Sequence, residues 1–318
     1  MADDPLTSFV RTVVGSGAPI LVLSPHLDDA VLSCGGLLGW AGRRAPVTVA
    51  TLFTEATPPP HTLSARQYLK QTGAGDAEEL FADRRAEDRD VLGLLDVGVL
   101  HVGLVDGLFR RLARPRAGTE RLARLLPELA HVYPTYRLHL SRGRVSARDD
   151  DTLRAVRETV EALLPACSGG VVLAPLGVGG HADHVLVRTA AERSGRRVVY
   201  YSDFPYNQHA AADAGFTGRH RLVARAWERG LDRKAELIRG YRTQADALFP
   251  EGRIPRVPEV YLMPESDAAP SAPEPGTPES AVSGPTASGP TASGPTAFEP
   301  TRAVPEDPRR ARTAGGVS

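Results

Sequence analysis

Two short clusters carry the residue types from which a reactive centre can be built. The first is Ser24-Pro25-His26-Leu27-Asp28-Asp29-Ala30, which sets one imidazole and two carboxylates within four residues. The second is Gly180-His181-Ala182-Asp183-His184. A catalytic zinc takes three protein ligands, commonly His with Asp or Glu, and keeps one position for water. His26, Asp29 and His184 supply such a set. Asp28 lies between two ligands and is left free as a general base, facing a water that the metal acidifies towards a pKa of ~7. His181, three residues before His184, can reach the same site without binding the metal.

Each cluster also has an ordinary explanation. Asp28-Asp29 suits a helix N-terminus, where carboxylates meet unpaired N–H groups. His26 could be a hydrogen-bonded loop histidine, and a lone His-x-x-His is a weak signal. What favours a metal is the conjunction. Both clusters follow apolar runs, Ile20-Leu21-Val22-Leu23 and Val171-Val172-Leu173-Ala174, and both open helical patterns. Parallel strands would bring the two clusters to one edge of a sheet.

The elements that must do this positioning alternate along the chain. Residues 19–24 read as a strand buried on both faces. A helix opens at Asp28 and Asp29 and stops near Gly42. Residues 47–53 (VTVATLF) are a β-branched strand. This strand–helix–strand unit makes its two strands parallel. Residues 54–75 contain Pro58-Pro59-Pro60 and read as a long loop at a strand's carboxyl end, where pockets form in open α/β sheets. A charged amphipathic helix spans 76–95, a strand 99–102 and a helix 119–130, while 133–148 fits no pattern. Then come a helix from 150 to 164, ended by Pro165, a strand at 171–174, a Gly-rich turn at 175–180, a helix at 184–193 and a strand at 198–201. A capped helix covers 232–248, and a short helix at 6–14 leads in. Alternating strands and helices predict an α/β layer fold with a mostly parallel sheet.

These residues resemble the PIG-L/LmbE-like zinc N-deacetylases. Pro25-His26-Leu27-Asp28-Asp29 is similar to that family's Pro-His-Pro-Asp-Asp-Glu, and His181-Ala182-Asp183-His184 to its His-x-Asp-His. Arg84-Arg85-Ala86-Glu87, Asp106 in Val-Asp-Gly, the segment 200–206 (YYSDFPY) and Tyr241-Arg242-Thr243-Gln244 also match its motifs, and the resemblance covers residues 19–263. It implies a Rossmann-like three-layer fold and hydrolysis of an N-acetyl group on an amino sugar or glycosylated small metabolite. Carried over, His26, Asp29 and His184 bind one Zn2+ per chain, with Fe2+ as another candidate because a His2Asp set suits several metals. Asp28 is then the general base that later protonates the amine, and His181 steadies the oxyanion. Arg84 or Arg85, Asp106 and Tyr206 become candidate substrate contacts, against solvated helix faces for the arginines. Asp183 either orients a histidine or caps a helix. Leu27 and Ala30 replace the family's proline and glutamate, and Gly179-Gly180 stand where some relatives carry a tyrosine. The rival expectations are an amidase for another acyl group or a non-sugar amine, and a non-catalytic carbohydrate-binding protein.

Composition narrows the partners. The 318 residues carry 38 basic and 38 acidic side chains, so net charge gives no case for nucleic acid or an anionic membrane. Cys34 and Cys167 are too few for a disulfide framework and read as buried thiols. No secretory pattern and no membrane-length apolar run is visible, which makes a cytoplasmic protein the expectation. From residue 265 onward Pro, Ser, Thr, Ala and Gly dominate, with Ser-Gly-Pro-Thr-Ala three times between 283 and 297. Such a segment buries too little apolar surface to offset its ordering entropy. The expected division is a deacetylase domain over 1–264 and a disordered tail over 265–318.

Overall fold

Five consecutive residues without a charge form the strand at the centre of the protein, β1 (Ile20–Ser24), and all five are buried. Its neighbours alternate between two helical layers. Ile20 and Val22 pack on one side with Val31, Leu38 and Val91, whereas Leu21 and Leu23 pack on the other with Val156, Leu186 and Val187. Burial on both faces is the reason this strand is apolar without interruption. The protein is seen as a computed structural model, which describes residues 10–11, 14–113 and 120–265.

From β1 the chain passes through α1 (Asp29–Ala41), β2 (Val47–Glu55), α2 (Leu63–Thr72), α3 (Ala77–Gly93) and β3 (Gly98–Val105). After α4 (Glu120–Leu125) and α5 (Asp150–Leu163) come β4 (Val171–Pro175), α6 (Ala182–Arg193) and β5 (Val198–Tyr201). The described chain closes with α7 (Ala214–Arg219), β6 (Leu222–Trp227), α8 (Leu231–Ile238), α9 (Arg242–Leu248) and β7 (Glu259–Pro264). The sheet order is β3-β2-β1-β4-β5-β7-β6. The first five strands in this order are parallel, and β7 runs antiparallel to both β5 and β6. The chain winds outward from β1 to β3 and then restarts on the other side of β1 at β4. A crevice opens where the loops after β1 and β4 diverge, the usual place for a ligand in an open α/β sheet.

Several expectations change. The loop expected over 54–75 contains α2, capped by Thr62, whose side chain accepts the Ala65 N–H, and closed by Gly73 at φ +71°. The single helix expected over 232–248 is two. Gly240 abuts α3, where a Cβ would lie 2.4 Å from Val91 Cγ2, and the turn sends the Tyr241 hydroxyl to Asp88 at 2.8 Å. The helix expected over 119–130 ends at Leu125, and Pro127 opens a 3-10 turn because it has no N–H to continue an α-helix. The unassigned stretch 133–148 holds one π-helical turn, Tyr136–Leu140. Strands β6 and β7 were outside the sequence expectation, since Ala224-Arg225-Ala226 in β6 has no continuous apolar character. Most of the lead-in at 6–14 and the tail beyond Glu265 lie outside the described residues. Both cysteines are buried and free, as their number implied.

Candidate active site

The site is built at the end of β1. Ser24 Oγ donates to the His26 carbonyl at 2.7 Å and accepts the Ala30 N–H at 3.1 Å. It therefore does the work of a helix cap. Asp28 occupies the capping position of α1 yet makes no capping hydrogen bond with its side chain. Its carboxylate lines the pocket instead. Asp29 turns back over the loop. Its Oδ2 accepts the His26 backbone N–H at 2.9 Å and lies 3.0 Å from His26 Nδ1 and 3.2 Å from His184 Nε2.

The second cluster arrives from β4 through the turn expected there. Gly180 is at φ +71°, and a Cβ on it would sit 2.7 Å from the Gly143 nitrogen, so only glycine fits this approach. His181 caps α6 by accepting the Asp183 N–H at 3.3 Å. That frees the Asp183 side chain from capping, and it turns inward. Its Oδ2 lies 3.2 Å from His26 Nε2 and accepts the Gly107 N–H at 2.8 Å. On the other ligand candidate, His184 Nδ1 lies 2.6 Å from Asp203 Oδ1. The two histidines are thus arranged alike. One nitrogen of each faces the Asp29 carboxylate, and the other is held by a buried aspartate, as carboxylates hold metal-ligating histidines from behind.

Three rings meet here. His26 and His181 have centroids 4.8 Å apart, His26 and His184 5.2 Å, and His181 and His184 5.5 Å. One nitrogen from each lies within 4.8 Å of the others, and the same holds for donor atoms of His26, Asp106 and Asp183. These donor types suit a divalent metal, and Asp29, although in neither set, has Oδ2 3.0 Å from His26 and 3.2 Å from His184.

Burial opposes charge on every group, and the winners differ. Hydrogen bonds with Asp183 and Asp29 overcome the burial of His26 and raise its pKa to about 9. His184 is likewise raised, against burial, by Asp29 and Asp203. His181 has no such partner, so burial followed by the charges of His26 and His184 holds it well below the usual value. For Asp28, burial and then the neighbouring Asp29 push the carboxyl up to about 7. Asp29 is buried too, but His184 and His26 hold it well below the carboxylate range.

Around these groups lies a pocket lined by Tyr68, Arg84, Asp106, Tyr136, Tyr206 and Gln244, among others. Arg84, Asp106 and Tyr206 are therefore brought to the site, as the sequence suggested. Arg85 is not among the lining residues. Its guanidinium donates to the Thr54 carbonyl at 2.8 Å and pairs with Glu55 at 3.0 Å. On one helix, adjacent arginines point about 100° apart, so only one of the two can enter. Asp106 Oδ2 stands 3.6 Å from His26 Nε2. Arg84 donates to Tyr68 Oη at 3.2 Å and hydrogen-bonds Gln244 Oε1, while Gln244 Nε2 donates to the Leu27 carbonyl at 2.8 Å. Gly179 leaves open the space beside Tyr206, whose Cβ lies 3.2 Å from where a Gly179 Cβ would be. Tyrosines thus reach the pocket from α2, with Tyr68, and from irregular segments, with Tyr136 and Tyr206.

Comparison with known proteins shows the family. The model of the PIG-L family, GlcNAc-PI de-N-acetylase, matches residues 21–194. The chain belongs to the PIG-L family. It is 32% identical over 225 residues to 2'-N-acetylparomamine deacetylase of Streptomyces fradiae, covering 69% of this chain and 68% of that one. Two solved structures share the fold. The zinc-inhibited form of teicoplanin deacetylase matches at TM-score 0.58 and 23% identity, over 77% of this chain and 97% of that chain. A deacetylase–bog complex from the teicoplanin pathway matches at TM-score 0.59 and 22% identity, over 77% and 96%. As a PIG-L protein the chain is an N-deacetylase, a hydrolase of amide bonds. Sequence reasoning about this deacetylase did not single out Asp203, Arg110, Tyr68 or Tyr136. Asp203 follows a strand and had a positional signal, but the other three come from α2 and from irregular segments that no periodicity marks.

Proposed function

We propose that this PIG-L deacetylase uses one divalent metal, zinc in the first instance, held by His26, Asp29 and His184, to remove an N-acetyl group from an amino sugar or glycosylated small metabolite. The observation that carries the metal set is the Asp29 carboxylate lying between His26 Nδ1 and His184 Nε2, at 3.0 and 3.2 Å, with the free Asp28 carboxylate beside it. When bound, the metal supplies Lewis acidity, which acidifies water and polarises the amide carbonyl. The protein's own groups do the rest. Asp28 Oδ accepts a proton from the attacking water and returns it to the departing amine nitrogen, a role suited to a carboxyl poised near 7. His181 is placed to steady the oxygen on which charge develops. Arg84, Asp106 and Tyr206 offer donors and acceptors to sugar hydroxyls, whereas Arg85 does not line this pocket.

The relative that acts on 2'-N-acetylparomamine supports an N-acetylated amino sugar as substrate. In the finer description of the fold, Rossmann-like with three layers, support comes from the strand order 3-2-1-4-5 and helices on both faces. The partner is a small molecule, without nucleic acid or membrane, and the location is cytoplasmic. Among the described residues no helix is long and apolar enough to cross a membrane. Asp28→Ala is expected to abolish acetate release while retaining about one metal per chain, read by elemental analysis. Normal turnover in that variant would remove Asp28 as the base, and a panel of acyl chain lengths on glucosamine tests the acetyl preference.

A further inference from the structure

Behind the His26 arm of the site lies a cation that none of the chemistry above uses. Arg110 is 5% exposed and follows β3 in the segment that also carries Asp106. Its guanidinium makes four hydrogen bonds. Nη2 donates to Asp183 Oδ1 at 2.6 Å and to the Val105 carbonyl at 2.7 Å, Nε donates to the same carbonyl at 3.1 Å, and Nη1 donates to Asp149 Oδ2 at 2.5 Å. Its flat face covers the Phe53 ring at 4.7 Å. One side chain therefore ties together the ends of β2 and β3, the start of α5 and the first turn of α6.

The two aspartates behind the histidines are held differently. Asp203 is anchored by a neutral donor, the Val178 N–H at 2.8 Å. Asp183 is anchored by the Gly107 N–H and by Arg110. We propose that Arg110 is a positioning residue for the metal centre, acting through Asp183 to fix the ring of His26. With Asp183 Oδ1 taken by the guanidinium, Oδ2 is the oxygen turned to His26 Nε2 at 3.2 Å. An Nε2–H donated there leaves the Nδ1 lone pair directed at the Asp29 side, where a metal would bind. Gly107 hangs on the same Oδ2, so the Asp106 loop is set by the same contact. Arginine suits this place because a planar fork can hold two carboxylates and a carbonyl at once, which an ammonium cannot do from one position.

This inference rests on His26 being a metal ligand, and the test separates the two. Metal affinity is measured by chelator competition, with the visible spectrum of the Co2+-loaded protein as a second readout, on the full chain. Wild-type protein that takes up no metal would overturn the metal assignment itself. Given wild-type binding, Arg110→Lys and Asp183→Asn are each expected to weaken affinity by ~10–100-fold and to alter the Co2+ spectrum, as loss of an outer-shell partner does. Tyr133→Phe serves as the control. It removes the Tyr133 hydroxyl bond to Asp149 on the far side of the guanidinium, at 2.9 Å, and is expected to lower Tm while leaving affinity and spectrum unchanged. Folded Arg110→Lys with wild-type affinity and spectrum would reduce Arg110 to a structural strut. Should that variant fail to fold, Asp183→Asn decides, because unchanged affinity there breaks the proposed route at its middle link.

Discussion

At the scale of single residues, the site is a set of neighbours deciding one another's charge. Asp28 and Asp29 are adjacent and chemically identical, yet burial and the Asp29 charge raise Asp28 to about 7 while two histidines hold Asp29 low. A base must be ionised to accept a proton, so kcat/KM should rise with pH through the Asp28 pKa and then level off. A bound cation favours the carboxylate and can only lower that midpoint. The acid limb is therefore expected at or below about 7, with a slope of one. A pH profile of the metal-saturated enzyme whose acid limb is centred well above that value would assign it to another group. The capping test is equally local. Of the two roles the sequence offered Asp28, capping is not the one its side chain takes, and the Ser24 hydroxyl accepts the Ala30 N–H instead.

Secondary-structure elements fix the site by close approaches that leave no spare volume. In the middle of α1 the N–H groups of Gly36 and Leu37 donate to the Glu259 carboxylate of β7 at 2.7 and 3.0 Å. Tyr261 Oη donates to the same carboxylate at 2.9 Å, and Lys234 Nζ of α8 lies 3.4 Å from it. The helix that presents Asp29 is thereby docked on β7, the strand that runs antiparallel to β5 and β6. A Cβ at Gly36 would lie 2.4 Å from the Arg229 carbonyl, a contact that backbone cannot relieve by rotating a side chain. Gly36→Ala is expected to destabilise the protein by ~1–3 kcal/mol, as overpacking does. Urea denaturation measures it, and a midpoint equal to wild type would show that the helix shifts freely. From the other side, Glu87 and Asp88 of α3 hold Thr243 and Tyr241 at 2.7 and 2.8 Å, which seats the helix carrying Gln244.

For the whole molecule, the topology explains how His26 and His184, far apart in the sequence, come to one pocket. β1 and β4 are neighbours in the sheet with Ile20 opposite Val171, so the loops that follow them leave from the same edge. The described chain ends in the same sheet. Met263 and Pro264 pair with Val223 and Leu222, and the Glu265 N–H donates to the Arg221 carbonyl at 3.1 Å. Truncation after Glu265 is accordingly expected to leave turnover and Tm unchanged, because every paired residue of β7 is kept. A large loss of either would mean that the Pro- and Ser-rich segment contributes to the folded enzyme. With 38 charges of each sign, the net charge of the chain supplies no overall attraction for a charged partner.

What the sequence determined by itself was whatever is encoded locally. The apolar runs of β1 and β4, the His-x-Asp-Asp turn and the His-x-x-His helix start each depend on a few consecutive residues, so the alternating layers and the ligand candidates His26, Asp29 and His184 were legible from spacing and type. Breaks such as Gly240 and the strands β6 and β7 were not, because a helix ends there against Val91 and an Arg-containing strand forms only when β7 is beside it. The roles of the remaining polar residues were decided only in three dimensions. Arg84 enters the pocket and Arg85 leaves it because a helix turns about 100° per residue, and which of the two faces inward is set by how α3 packs. Asp183, Asp203 and Arg110 support the histidines through contacts that span up to 157 residues of sequence. No local pattern records such contacts, since each donor meets its acceptor only after the sheet has brought their loops to the same edge.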